Sequence, residues 1–219
     1  MVKFSVIITA GGLGKRMGEE LPKQFLLAGG KPILIHTLEL FHKYDPDAQF
    51  LITLPNEWKS YWEKLCIQYN CNIVHQVIDG GQERYFSIKN ALSFCEGEFI
   101  AVHDGVRPLV SLDTIKRCFD EVKIKGQVIP VYNIKESIRQ LFDDTSKAVD
   151  RSQYCIVQTP QCFKAEVLID AYNRDYHDSI TDDASLVEEA GYQIHLVEGN
   201  VENVKITSPI DLILANCLL

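Results

Sequence analysis

The segment Ala10-Gly11-Gly12-Leu13-Gly14-Lys15-Arg16-Met17-Gly18 sets four glycines beside two cations, directly after a run of apolar, β-prone side chains. Glycines in that position let backbone N–H groups approach phosphate oxygens, and neighbouring cations complement the charge. A turn of this kind can also do no more than reverse the chain. The segment matches neither G-x-x-x-x-G-K-[ST] nor G-x-G-x-x-G, which weighs against a P-loop NTPase and a standard dinucleotide fold. Leu21-Pro22-Lys23-Gln24 follows closely. A lone lysine is ordinarily solvated, but Lys23 beside a phosphate loop, together with Arg16, is a second cation suited to a triphosphate.

Two further segments can reach the same place. Ala101-Val102-His103-Asp104-Gly105-Val106-Arg107-Pro108 puts a carboxylate where an apolar strand ends. Open α/β folds bind ligands at that end of their strands, so Asp104 is a candidate to hold Mg²⁺, or another divalent cation, against phosphate oxygens. Its structural alternative is to cap the turn before a helix starting near Ser111. His103 reads as a packing residue, since no second histidine has ligand spacing. Gly80-Gly81-Gln82-Glu83-Arg84, with Ser87, frees backbone groups to read a base edge and equally makes a glycine turn entering a helix, with Glu83 complementing the dipole.

The elements that must position these residues alternate. Short apolar runs at Phe4–Ala10, Phe50–Leu54, Asn72–Gln76, Phe99–His103 and Gln127–Val131 predict strands. Helical spacing at Ile33–Tyr44, Glu57–Tyr69, Glu83–Cys95 and Leu112–Lys125 predicts helices between them. Nearly continuous apolar strands alternating with helices imply an α/β fold: a mostly parallel twisted sheet with helices on both faces. Tyr132–Ile156 breaks the rhythm, mixing turn residues with β-prone pieces around Ile134–Phe142 and Tyr154–Val157, and reads as a protruding β-arm. The pattern resumes with helices Ala165–Tyr172 and Asp182–Ala190, strand Ile194–Val197, the short Asn203–Ile206 and a helix Pro209–Leu218. With no repeat or linker, residues 1–219 are expected to form a single domain.

A composition of 46% hydrophobic and 24% charged residues is ordinary for one folded core. The net charge of −8 weighs against a nucleic-acid partner, which calls for a basic face. Seven scattered cysteines form no C-x-x-C pair and have no zinc spacing, so free thiols in a reducing cytoplasm are expected. The apolar run Val2–Ala10 is too short to span a bilayer and too close to Met1 for a signal peptide.

Taken together and in order, A-G-G-L-G-K-R-M, P-K-Q, G-G-Q-E-R-x-x-S, H-D-G-V-R-P, D-R, Q-T-P-Q, T-D-D-A-S and V-E-G-N-x-E-N-x-K-I-T-x-P-x-D resemble the 2-C-methyl-D-erythritol 4-phosphate cytidylyltransferases of non-mevalonate isoprenoid synthesis. The likeness covers almost the whole chain. It implies CMP transfer from CTP to a polyol phosphate with Mg²⁺, on a Rossmann-like nucleotidyltransferase fold. It also implies a homodimer whose arms complete the neighbouring sites. By motif position, Ala10, Gly11, Gly12, Leu13 and Gly14 would hold the nucleotide with Gly105, while Gly81 and Ser87 would read cytosine. Arg16 and Lys23 would act on the triphosphate, and Lys205 near the reacting phosphate. Asp104, near metal and substrate, Arg107, Thr181 and Lys205 would contact the acceptor, joined by Arg151 from the partner's arm.

The sequence departs from the family at Gly11, Gly105 and Val106, where alanines are common. A family arm threonine has no counterpart in Pro130-Val131-Tyr132-Asn133-Ile134-Lys135. A phosphomonoester with a second pKa near ~6 needs no base at neutral pH, so the lack of a Ser-His-Asp or Cys-His arrangement fits an electrostatic mechanism. The ribitol-5-phosphate cytidylyltransferases share most of the motifs. A nucleotide-sensing domain without catalysis and a sugar-nucleotide pyrophosphorylase are the other readings. The retention of Arg16, Lys23, Asp104 and Lys205 argues against the sensing domain, and the V-E-G-N-x-E-N-x-K-I-T run favours methylerythritol phosphate.

Overall fold

The structure, a computed structural model, describes residues 3–12 and 21–219. Its frame is an eight-stranded sheet: β1 (Phe4–Thr9), β4 (Gln49–Leu54), β5 (Gln76–Asp79), β6 (Phe99–Asp104), β7 (Gln127–Asn133), β10 (Cys155–Val157), β11 (Gln161–Lys164) and β12 (His195–Glu198). β1 pairs in parallel with β4 and with β6, and β4 with β5, so their carboxyl ends share one edge of the sheet. Successive side chains of a strand face opposite ways, and β1 shows the result. Val6 and Ile8 join a core with α1 (Ile33–Tyr44), α2 (Asn56–Gln68) and α4 (Leu112–Lys125). Ile7 joins another with α3 (Arg84–Leu92), α5 (Ala165–Tyr172) and α6 (Asp183–Glu189). The expected sheet covered on both faces is therefore present.

Local chemistry sets several boundaries. The Ser111 hydroxyl caps α4 by accepting from the Thr114 N–H at 3.0 Å, and Gly126, at φ +88°, ends it. α7 (Pro209–Leu218) opens on a capping box between Ser208 and Asp211, with proline in its first turn.

Two strand expectations are corrected. The strand expected at Asn72–Gln76 lies at Gln76–Asp79, because His75 is tied to the Ile73 carbonyl at 2.7 Å and to Trp62 Nε1 at 2.9 Å. These bonds hold residues 72–75 as a loop with Val74 89% exposed. Asn203–Ile206 is irregular backbone: the Asn203 carbonyl accepts from Arg107 and Gln158, and its side chain donates to the Thr159 carbonyl. β11 has no sequence-level forecast. It lies antiparallel between β6 and β7, with Cys162 opposite both Ala101 and Val128.

Between β7 and β10 the chain leaves the body. β8 (Arg139–Phe142) and β9 (Thr145–Ala148) pair only with each other, and both are exposed along their whole length. This hairpin is the expected arm. Two short strands near the first loop, β2 (Leu27–Ala28) and β3 (Lys31–Pro32), make a further small hairpin.

Candidate active site

Two clefts open at the carboxyl ends of the parallel strands and meet at one carboxylate. The first, about 580 Å³, is lined by Thr9 at the end of β1, by Ala10, Gly11 and Gly12 after it, by Lys23, by Gly81–Arg84 with Ser87, and by Asp104 and Lys205. Buried Gln24 fixes its mouth, donating from Nε2 to the Ala10 carbonyl at 2.6 Å. The Gly81 N–H donates to the Ser87 hydroxyl at 2.9 Å, and that hydroxyl donates to the Glu83 carbonyl at 3.2 Å. A Cβ on Gly81 would overlap the Phe86 side chain, and one on Gly11 would sit 3.4 Å from Ser87 Oγ. Gly81 is therefore required by the fold of its own turn, while Gly11 brings the β1 loop alongside Ser87 with backbone as its lining.

The second cleft, about 290 Å³, is lined by Arg107, Gln158, Thr159, Gln161, Thr181 and Asp182, and it shares Arg84, Asp104 and Lys205 with the first. Its walls are hydrogen-bonded motifs. Gln158 Nε2 donates to the Asn200 carbonyl at 2.8 Å, while Gln161 donates to Asp182 at 2.7 Å and accepts from the Ala184 N–H at 2.9 Å.

At the junction three cations converge on buried Asp104. Arg107 Nε lies 2.9 Å and Lys205 Nζ 3.1 Å from Oδ2, and Arg84 Nε lies 3.5 Å from Oδ1. Burial alone would raise the Asp104 pKa, but Lys205, Arg84 and Arg107 together hold it far below the usual carboxylate range. Arg84 is anchored from behind by fully buried Asp183 at 2.6 Å. Burial disfavours the charge on Arg84, and Asp183 and Asp104 more than offset this, so it stays charged. Asp183 also accepts from the Tyr172 hydroxyl at 2.6 Å.

His103 is structural, as its isolation in the sequence suggests. Burial pushes its pKa down to about 3, so the ring is neutral. Nε2 contacts the Arg107 carbonyl at 3.2 Å, which makes it the donor and leaves Nδ1 to accept from the Thr159 hydroxyl at 2.9 Å. That hydroxyl in turn accepts from the Asp104 N–H at 3.2 Å. The carboxylate is thus oriented through its own backbone as well as through its ion pairs.

Of the residues singled out in the sequence, Ala10, Gly11, Gly12, Lys23, Gly81, Ser87, Asp104 and Lys205 line the first cleft, and Asp104, Arg107, Thr181 and Lys205 the second. Leu13, Gly14 and Arg16 lie outside the described residues. Gly105 lines neither cleft: its N–H donates to the Thr9 carbonyl at 2.8 Å and its carbonyl accepts from Thr37, so its backbone joins strand to helix. Arg151 also lines neither cleft of its own subunit; it is exposed on the arm, with its guanidinium on the Lys135 carbonyl. Sequence reasoning gave no site role to Arg84, Asp183, Gln158 or Thr159. All four stand inside motifs already singled out, but Arg84 meets Asp183 99 residues away, Thr159 meets the Asp104 N–H 55 away and Gln158 meets the Asn200 carbonyl 42 away along the chain.

Among the described residues, no group of three or more His, Cys, Asp or Glu side chains is arranged to hold a metal ion. What the junction offers is one carboxylate, with Oδ1 its less engaged oxygen, beside three cations. A single carboxylate next to phosphates fits the way Mg²⁺ is ordinarily held.

Residues 4–219 match the family described as "IspD: 2-C-methyl-D-erythritol 4-phosphate cytidylyltransferase". A 2-C-methyl-D-erythritol 4-phosphate cytidylyltransferase from Bacteroides thetaiotaomicron is 48% identical over 219 residues, covering 100% of both chains. One from Porphyromonas gingivalis is 47% identical, covering 99% of this chain and 98% of the other. The crystal structure of the Francisella tularensis enzyme of that name superposes with a TM-score of 0.80 at 30% identity, covering 99% of this chain and 100% of the other.

Proposed function

Since the chain belongs to the 2-C-methyl-D-erythritol 4-phosphate cytidylyltransferase family, we propose that its two clefts divide the reaction, with CTP in the first and the acceptor in the second. The protein is a cytidylyltransferase of the non-mevalonate isoprenoid pathway, moving CMP from CTP to methylerythritol phosphate. The observation that carries the assignment of the clefts is their junction. Arg84, Asp104 and Lys205 border both, where a phosphate from one side must meet a phosphate from the other.

The base lies against Gly81 and Ser87, and the triphosphate runs along Ala10–Gly12 towards Lys23. The acceptor's phosphate, largely ionised at neutral pH, takes the second cleft among Lys205, Arg107 and Thr181. One of its oxygens attacks the α-phosphorus in line. The new P–O bond forms as the bond to the β-phosphate bridging oxygen breaks, and pyrophosphate leaves with that electron pair. No proton needs to be moved. Repulsion between the two anions is the obstacle, and Lys205 and Lys23 offset it on either side of the reacting phosphorus. Asp104 is the residue that would hold Mg²⁺, and the ion would supply charge neutralisation on the triphosphate.

The arm points to a homodimer. A lone two-stranded hairpin is marginal in water, and this one exposes Leu141 at 79% and Phe142 at 47%. Arg151, which lines neither cleft of its own subunit, would serve those of a neighbour. No helix among the described residues is long and apolar enough to cross a membrane, and soluble phosphate substrates accord with a cytoplasmic reaction. The test is stoichiometry: with CTP, Mg²⁺ and methylerythritol phosphate, one pyrophosphate should appear per CDP-alcohol. Pyrophosphate release without acceptor, or none with it, would count against the two-cleft arrangement.

A further inference from the structure

Three cations contact Asp104, and they are held very differently. Lys205 ends an unbranched side chain that is 41% exposed, and among the described residues its ion pair is with Asp104 alone. Arg107 is tied to the Asn203 carbonyl at 2.8 Å, in the loop that carries Lys205. Among the described residues, Arg84 is the one of the three with a second carboxylate partner: α6 begins with buried Asp183, which takes its guanidinium at 2.6 Å and the Tyr172 hydroxyl at 2.6 Å. The chain Tyr172–Asp183–Arg84–Asp104 links α5, α6, α3 and β6. It also seats the start of α6 next to Thr181 and Asp182, which wall the second cleft.

An acceptor phosphate carries about two negative charges. Entering the second cleft, it competes with Asp104 for Lys205 and Arg107, the cations on its own side. Without a protein cation of its own, Asp104 would be left as a buried carboxylate free to turn, or would hold the two cations back from the phosphate. Arg84 removes both difficulties, because its charge is already shared with Asp183 and it stays in place when the others turn to substrate. We propose that Arg84, braced by Asp183, is a positioning residue that keeps Asp104 oriented while Lys205 and Arg107 transfer to the acceptor phosphate. The proposal rests on the reading of the second cleft as the acceptor site.

The Arg84→Gln/Asp183→Asn double variant removes both charges together and leaves no buried carboxylate unpaired. If Arg84 is only an internal strut, the double variant should recover stability and kinetics alike. The positioning role predicts a folded protein whose KM for methylerythritol phosphate is raised about tenfold or more, with the KM for CTP changed by less than about threefold. Arg84→Lys retains a cation that cannot span both carboxylates, and it should show the same split more mildly. Combining Arg84→Lys with Asp104→Asn should add little to the loss from Asp104→Asn alone, since the first acts through the second. A wild-type acceptor KM in whichever of these variants folds overturns the proposal. Inactivity of the wild-type protein on methylerythritol phosphate would instead overturn the reading of the cleft.

Discussion

Replacing Asp104 with asparagine keeps the shape of the junction and removes its central charge. The native junction sets Asp104 and Asp183 against Arg84, Arg107 and Lys205. Removing one partner of a buried ion pair costs about 3–5 kcal/mol. Two features hold the cost near the lower end: Arg84 retains Asp183, and Lys205 can turn to solvent. Arg107, with its side chain 13% exposed, is left as the main uncompensated cation. We therefore expect a loss of about 3 kcal/mol at pH 7, or about 6–12 °C in Tm for a chain of this size. The pH dependence has a definite sign. The folded-state pKa of Asp104 is depressed, so its contribution is complete above the ordinary value of 3.8 and is lost as pH falls below it. Urea titrations of both proteins should show a constant gap between pH 5 and 8 that narrows below about pH 4. A gap under about 1 kcal/mol at pH 7, or one that widens on acidification, would refute the idea that these cations hold the carboxylate ionised.

Lys23→Ala should lower turnover on the order of 10²–10³-fold without unfolding the protein, and a near-wild-type rate would remove Lys23 from the mechanism. Gly81→Ala sets a Cβ against Phe86 and should raise the KM for CTP more than that for the acceptor; equal changes in both would argue against a base-binding turn. Mixed dimers of Arg151→Ala and Lys23→Ala subunits should regain activity if arms cross between subunits, and confirmed heterodimers without recovery would contradict sharing. His103 should show no NMR titration between pH 5 and 7, because burial lowers its pKa to about 3. The unfolded histidine takes up a proton below 6.5 and the folded one does not, so acidification through that range should cost stability, at most about 1.4 kcal/mol per pH unit from this residue.

Much of this arrangement is legible in the chain, and the parts that are not share a cause. Ile33–Tyr44, Leu112–Lys125 and Pro209–Leu218 match their helices to the residue, because apolar periodicity and capping residues are local signals. The loop after β1 and Asp104 at the end of β6 follow from a strand pattern plus one residue type. Arg84 reads as a helix-entry residue since its partner Asp183 is 99 positions away, and a long-range ion pair leaves no local trace. β11 escapes notice for a similar reason: its four residues follow a loop, not a helix, and only pairing with β6 and β7 makes them a strand. Gly105 shows the converse. Its motif position suggests nucleotide contact, whereas a Cβ there would meet Leu34 at 2.9 Å and the Thr9 carbonyl at 3.0 Å, so packing gives this glycine a role of its own.

The choice of nucleotide and acceptor tests the proposed reaction most directly. The purified protein should be assayed with each of the four nucleoside triphosphates against methylerythritol phosphate, ribitol 5-phosphate and a sugar 1-phosphate, with pyrophosphate as the readout. CTP with methylerythritol phosphate should give the highest kcat/KM, by about a hundredfold or more over every other pair, the scale set by buried polar groups left unmatched. A preference for ribitol 5-phosphate, or equal use of UTP, would contradict it.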